Sequence, residues 1–532
     1  MPALKLDPEP FFSRADWSAF WAAFLFALLV YGLTLAPTVT LEDSGELAVG
    51  SDHLGVPHPP GYPIWTIITW VFTKVFFFVQ YRGQPNPAWA VGFASAVFGA
   101  LASGITAILV CRSGRDMLRS IKRTTEVIGE RIENVICWCG GVSASLVFAF
   151  SPVNWSQNVI VEVYALNAFF LVTIMFLVYV WMRRPEEPIT GITRLILGIA
   201  LTCLAVIGSG VVRHLFTYSD FFRVGIHYVL GYLLLLLLTG IMFCIWKRRP
   251  GDRLLYLMSL TFGLGLTNYQ VLLLLLISLA VVMLVRDMNL FRDFVITGIP
   301  YALFYVLAST GVIQMMAGPD VRITYLGIIH PTHPLTYAYL AANFAILAAA
   351  YRFLPNGRRV APAILCLELG MAVYVFMPLA SETNPPINWG YPRTWEGFVH
   401  AITRGQYEKI NPTNIFTAHF IQQVGSYLSD LRVKFTLPIA LLAILPFTAW
   451  GLRLGQRRFR ALYPAMLMAG LAAILITIEE IVVPTGAEMI LFSRLYHLLI
   501  LGAGILMAIG GFILVVAEVD ELLSKVTRHA PA

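Results

Sequence analysis

Apolar runs of about 17–25 residues recur from one end of this chain to the other, and no other feature limits its fold as strongly. Coiled as helices, such runs cross roughly 30 Å of hydrocarbon with their main-chain polar groups bonded internally. A membrane β-barrel would need short segments of alternating polarity, which are missing, so the expected class is an all-α polytopic membrane protein. Composition agrees: of 532 residues, 58% are hydrophobic and 13% charged, with a mean hydropathy of +0.74. The pI near 9.0 gives no reason to expect nucleic acid, because the cationic residues sit in short loops where they set orientation.

The first run, Trp17 to Pro37, follows a segment that is not strongly basic and precedes no small-residue cleavage site, so it reads as a retained span. Six cysteines (Cys111, Cys137, Cys139, Cys203, Cys244 and Cys366) lie in or beside apolar runs, and no disulfide is expected. Topology turns on the run Tyr62–Gln80. If it crosses, the basic loop Arg112–Asn134 and every later basic loop face outside. If it lies in the interface, with Thr66, Thr69, Thr73 and Gln80 on one polar face, they all fall inside. The second reading gives spans near 17–36, 89–111, 135–153, 157–182, 191–212, 226–246, 254–268, 270–285, 294–312, 335–353, 361–380, 437–452, 461–482 and 494–517. That is about 14 spans (range 11–14), with both termini inside and a possible broken-helix bend at Leu266–Gln270. One membrane domain, 1–520, is expected, with a short cytoplasmic tail, 521–532. Two sizeable outer loops remain, 37–88 and 381–436.

Those loops carry the unusual chemistry. The segment Leu41–Trp65 holds Glu42, Asp43, Glu46, Asp52, His53 and His58 without one Lys or Arg. Asp43 follows the first span directly, where partial desolvation suits a carboxylate to general-base work on a hydroxyl. The plainer reading makes Asp43 an N-cap, with Glu46 at capping-box spacing. The HPPGYP run then forces a rigid turn. Glu162 is expected about one turn into the fourth span, facing either a polar cavity or a bond to Asn158 or Tyr164. In the late loop, Trp389, Tyr391, Trp395 and Tyr407 offer stacking faces for a sugar, and Arg393, Arg404 and Lys409 offer cations for a phosphate. The plainer reading there is an aromatic belt with headgroup-gripping cations. Arg494 and His497 form a further candidate phosphate clamp. A base at the membrane surface, cations, stacking faces and apolar walls together describe transfer of a glycosyl group from a polyprenyl phosphate to a hydroxyl.

The runs DSGEL…LGVPHPPGYPIW, PVNWSQNVIVEVYALN, GLGLTNYQ and NPPINWGYPRTWEGFVHAITRGQY, between about 41 and 410, also resemble a bacterial membrane-protein family long known only as a domain of unknown function. That family belongs to the GT-C glycosyltransferases and includes a metazoan protein O-mannosyltransferase of the ER. The resemblance implies a GT-C-like fold and inverting transfer of a hexose, mannose first, from a polyprenyl-phosphate donor to Ser/Thr of a secreted or envelope protein. It implies Asp43 as base, with Glu46, His58 and Pro59 matching the rest of the first-loop motif, Glu162 the second motif, and Asn388, Trp389, Arg404 and Tyr407 the late one. With His53, Tyr164, Asn268, Arg393, Arg494 and His497, read from the residues themselves, these make up the set expected around the substrates. No metal ligand is expected, and a divalent cation is compatible but not required. The implied location is a bacterial inner membrane with the site on its extracytoplasmic face. The chain departs from the family in having Leu41-Glu42 where Gly-Gly is usual, and in a pair of spans inserted at 189–249. A transporter or flippase for a lipid-linked sugar is the alternative, and polarity confined to the outer ends of the spans counts against it. A non-catalytic scaffold would leave the acidic loop unexplained.

Overall fold

The computed structural model describes residues 10–40, 42–120, 129–183, 186, 188–217, 225–309, 334–406 and scattered positions in 416–429. The expected spans 437–452, 461–482 and 494–517, the tail 521–532, and Tyr407, Lys409, Arg494 and His497 lie outside the described residues.

The chain folds as an all-α polytopic membrane protein. Seven of its described helical segments are long and apolar enough to cross a membrane: Arg14–Thr34, Pro87–Asp116, Glu130–Ala149, Tyr164–Arg183, Thr190–Thr217, Ile226–Arg248 and Gly357–Glu382. The first four form a bundle in which α1 (Arg14–Thr34) packs on α4 (Pro87–Ser120), and α4 packs on α5 (Glu130–Ala149) and α7 (Tyr164–Arg183). Ser13 starts α1 with a complete capping box: its hydroxyl accepts the Asp16 N–H, and the Asp16 carboxylate accepts the Ser13 N–H at 2.7 Å.

Asp16 has a second role. Its carboxylate meets Arg115 of α4 at 2.7 Å with both groups buried, and Arg115 reaches Asn134 of α5 at 2.9 Å. Arg119 binds Glu133, while Asp116 takes Tyr179 and Arg183 of α7. Charge at this end of the bundle therefore joins all four helices. The other end carries Asp43 and Glu162, so the cations and the acids of the first loop sit at opposite ends of one bundle, as the orientation argument requires.

Further along, α10 (Arg253–Leu266) lies against α14 (Gly357–Met371) through glycines. A Cβ on Gly263 would fall 2.2 Å from the Leu367 carbonyl, so only glycine permits this approach. The expected bend at Leu266–Gln270 is present: α10 ends there, a 3-10 segment covers Gln270–Leu274, and α11 runs from Leu275 to Arg286.

Two expectations need correction. The helix after the prolines, α3, covers only Pro63–Val75 and is followed by a two-residue hairpin pairing Gln80–Tyr81 with Gln84–Pro85. Its threonine face points inward: Thr66, Thr69 and Thr73 are buried, and Thr69 Oγ lies 2.7 Å from both Ser51 Oγ of α2 (Ser44–Asp52) and the Trp65 carbonyl. Thr69 and Thr73 bond carbonyls of their own helix, so these two polar side chains need not face water, whereas Thr66 Oγ1 is buried without a hydrogen-bond partner among the described residues. Phe77 and Phe78 are the exposed surface instead. The fourth span begins at Tyr164, not 157, because α6 (Pro152–Asn158) is a separate short helix. Glu162 consequently sits in a non-helical connector, not inside a span.

Candidate active site

The connector 159–163 lies between two helices, and side chains and main chain of other elements supply donors to its carbonyls, Val163 O also taking the Asn167 N–H of α7 at 3.2 Å. The Ala36 N–H bonds Val159 O at 2.9 Å, Ser44 Oγ bonds Val161 O at 3.3 Å, and Ser95 Oγ bonds Glu162 O at 3.3 Å. Asn268 Nδ2 bonds Val163 O at 3.1 Å. Asn268 is fully buried, and its amide holds the connector while its Oδ1 has no hydrogen-bond partner among the described residues. The connector is thereby pinned against the start of α2, and the Glu162 carboxylate accepts the main-chain N–H groups of Val163 and Asp43. Burial first, then the negative charges of Asp43 and Glu42, push the Glu162 carboxyl up to about 8.

Asp43 occupies the N-cap position of α2 but makes no side-chain cap bond, so the plainer capping reading fails. Its carboxylate is part exposed (40%) and faces His58 Nε2 at 3.8 Å. Glu46, one turn along, is drawn away from the cap by His58: one carboxylate oxygen takes the His58 main-chain N–H at 2.6 Å and the other faces Nδ1 at 3.3 Å. The HPPGYP turn makes this possible by folding His58 back over α2. Gly55 lets the turn pass a second segment, since a Cβ there would lie 2.5 Å from the Ile387 carbonyl. At that crossing, Val56 N–H bonds Ile387 O and Trp389 N–H bonds Val56 O, each at 2.9 Å, which joins the early and late loops.

Behind His58 lies an aromatic wall. The Tyr62 hydroxyl is 3.0 Å from His58 Nε2, and the Tyr62 ring stacks on Tyr269 at 6.4 Å. Tyr269 meets Tyr164 edge-on at 5.7 Å, and Arg404 places its guanidinium 6.0 Å from the Tyr269 ring centroid. The expected residues Asp43, Glu46, His58, Tyr164 and Arg404 thus converge through Tyr62 and Tyr269, two tyrosines not singled out as site residues in the sequence. Gln270 was missed as well; it bonds Ile402 O at 2.8 Å and Tyr374 Oη at 3.2 Å, next to Arg404. The polar run Asn268-Tyr269-Gln270 inside an apolar stretch was the available signal.

Other expected site residues fall elsewhere. His53 is exposed at the C-terminus of α2, with Nδ1 near Val49 O at 3.3 Å, and takes no part in the cluster. Asn388 turns its amide inward to Ser381 O at 3.2 Å. Trp389 and Tyr391 are exposed beside a cavity of about 390 Å³ that the loop Asn384–Tyr391 lines, and Arg393 binds Asn384 and lies 5.4 Å from the Tyr391 ring.

Asp43, Glu46 and His58 also bring one possible metal ligand each within 4.8 Å of one another. Both ring nitrogens of His58 face hydrogen-bonding groups in this arrangement, Glu46 and the Tyr62 hydroxyl. All six cysteines are free thiols.

Residues 43–217 match the family described as the protein O-mannosyl-transferase TMEM260 N-terminal domain. The chain is 30% identical over 161 residues to protein O-mannosyl-transferase tmem260 of Dictyostelium discoideum, covering 30% of this chain and 16% of that one. It is 31% identical over 157 residues to the mouse protein O-mannosyl-transferase TMEM260, covering 29% of this chain and 18% of that one. The matches therefore span under a fifth of either relative's length. No solved structure matches. The matched region opens at Asp43 and contains Glu46, His58, Glu162 and Tyr164, whereas Tyr269 and the loop bearing Arg404 lie beyond it.

Proposed function

We propose that this protein is an inverting glycosyltransferase that moves a hexose, mannose first, from a polyprenyl-phosphate donor to Ser or Thr of a translocated protein. The observation that carries this reading is the position of Asp43. Its part-exposed carboxylate lies between the end of the first span and a buried His58–Tyr62–Tyr269 wall, at the start of the segment similar to the O-mannosyl-transferase family. Asp43 takes the proton of the acceptor hydroxyl as that oxygen attacks the anomeric carbon. The donor phosphate departs with the bonding electrons and needs positive charge, which Arg404 supplies from the Tyr269 side. Trp389 and Tyr391 offer exposed faces for the acceptor or its sugar. The site works on the extracytoplasmic face, because the cation-rich end of the bundle is the opposite one.

The test is radiolabelled transfer in nanodiscs from polyprenyl-phosphate mannose, and separately glucose, to Ser/Thr-containing acceptor proteins. Wild type labels the acceptor, and Asp43→Asn lowers the rate by at least about a hundredfold while remaining monodisperse. Equal labelling by both proteins removes Asp43 from the chemistry. Equal scrambling of the lipid-linked sugar by both, without label on protein, favours a flippase.

A further inference from the structure

We propose that His58, oriented by Glu46, is a positioning residue that receives from Asp43 the proton taken off the acceptor hydroxyl. The inference rests on the reading of Asp43 as base and extends it to residues that need touch neither substrate. Glu46 grips His58 twice, at its main-chain N–H (2.6 Å) and at ring Nδ1 (3.3 Å). A carboxylate only accepts, so in the neutral ring the hydrogen sits on Nδ1 and the lone pair on Nε2. That lone pair accepts from the Tyr62 hydroxyl at 3.0 Å, and Asp43 Oδ2 lies 3.8 Å from the same nitrogen, so the Tyr62 O–H must turn away as Asp43 delivers its proton. The side chain of His58 is 8% exposed and that of Asp43 40%, so Asp43 meets the opening and His58 stands behind it.

The balance is simple. The acceptor oxygen bonds to the anomeric carbon as the carbon–phosphate oxygen bond breaks, and the phosphate keeps the electron pair. The hydroxyl proton passes to Asp43 and then to Nε2, giving an imidazolium held against the Glu46 carboxylate. Loss of that proton to water restores the neutral ring and an ionised Asp43. The charged and titratable groups around this path are Asp43 and Glu46 on α2, Tyr62 on the turn, Glu162 and Glu42 close to Asp43, and Arg404 beyond Tyr269. A neutral Nε2 is required to accept the proton, so a ring that already carries a proton stops the relay.

The experiment compares wild type, His58→Gln, Glu46→Gln and Asp43→Asn as full-length protein in nanodiscs. It measures kcat and donor KM across pH with polyprenyl-phosphate mannose or glucose, whichever wild type uses. His58→Gln is expected to lower kcat about a hundredfold with donor KM unchanged within about twofold, and to move the acid limb of the kcat profile to lower pH. Glu46→Gln keeps an oxygen for the His58 main-chain N–H but presents an amide to Nδ1; it moves kcat and the limb in the same direction, by less. Unchanged kcat and acid limb in His58→Gln overturn the inference. So does a joint loss of kcat and KM with the limb unmoved, which marks a merely structural clamp. If His58→Gln does not elute as a monodisperse protein, Glu46→Gln decides by the same criteria. An active Asp43→Asn, or wild type inactive with both donors, overturns the underlying reading instead.

Discussion

Gln270 donates to the carbonyl of Ile402 at 2.8 Å and to the Tyr374 hydroxyl at 3.2 Å, while Tyr374 donates in turn to Leu266 O at 3.1 Å. One glutamine therefore ties the break between two short apolar helices to the end of α16 (Trp395–Ile402), two residues before Arg404. The position of that guanidinium over Tyr269 depends on this tie. Gln270→Leu is expected to raise donor KM roughly tenfold, the scale of one lost hydrogen bond, with a smaller change in kcat. Michaelis constants for the polyprenyl-phosphate donor check this; an unchanged KM separates Gln270 from the phosphate side of the site.

The Glu162 carboxyl, pushed up to about 8 by burial and by Asp43 and Glu42, makes stability depend on pH. The folded state holds a proton there that an unfolded chain, with its ordinary carboxyl near 4.5, has already released at neutral pH. Its contribution is present in full below about 4.5 and is lost as pH rises towards about 8. Glu162→Gln cannot ionise, so its melting temperature should exceed that of wild type by roughly 2 °C or more at pH 9 and converge with it near pH 5. Thermal melts in detergent at the two pH values check the sign.

Gly55→Ala places a methyl 2.5 Å from the Ile387 carbonyl and forces the early loop off the late one. The Val56 and Trp389 bonds across that crossing are broken or strained, which costs about 1–3 kcal/mol locally. Transfer should fall about tenfold or more while the membrane bundle still folds, because the crossing lies outside the helix core. Parallel assays of activity and of monodisperse yield separate the two effects.

Asp16 and Arg115 are a buried pair at 2.7 Å joining α1 to α4. Removing one partner leaves an uncompensated buried charge, so Arg115→Leu is expected to destabilise by about 3–5 kcal/mol. Asp16→Leu combined with Arg115→Leu should recover part of that loss, the remainder reflecting the lost Ser13 cap and the bond to Asn134. Melting temperatures of the single and double variants in detergent measure the coupling.

The all-α membrane class, a long apolar first helix and the bend at Leu266–Gln270 were legible because each follows from local facts: run length, and polar residues interrupting an apolar stretch. Asp43, Glu46 and His58 were legible as a group because they lie within sixteen residues of one another around a proline turn. The direction of each side chain was not. Thr66, Thr69 and Thr73 mark a polar stripe, yet all three are buried, with Thr69 and Thr73 bonded to helix carbonyls and Thr69 also to Ser51. Asn268 and Asn388 stand in conspicuous polar motifs, yet both turn their amides to main-chain carbonyls.

What the sequence by itself determined is the sort of protein this is and where along the chain its acids, aromatics and cations lie, since membrane insertion and turn formation depend on composition over short windows. Only the tertiary structure decided which of those residues meet. Tyr269, about 200 residues from Tyr62, becomes the centre of the wall, and Val56 pairs with a loop more than 300 residues away. Such contacts arise from helix packing and from the demand that every carbonyl in a buried connector find a donor, and neither leaves a periodic trace in the sequence.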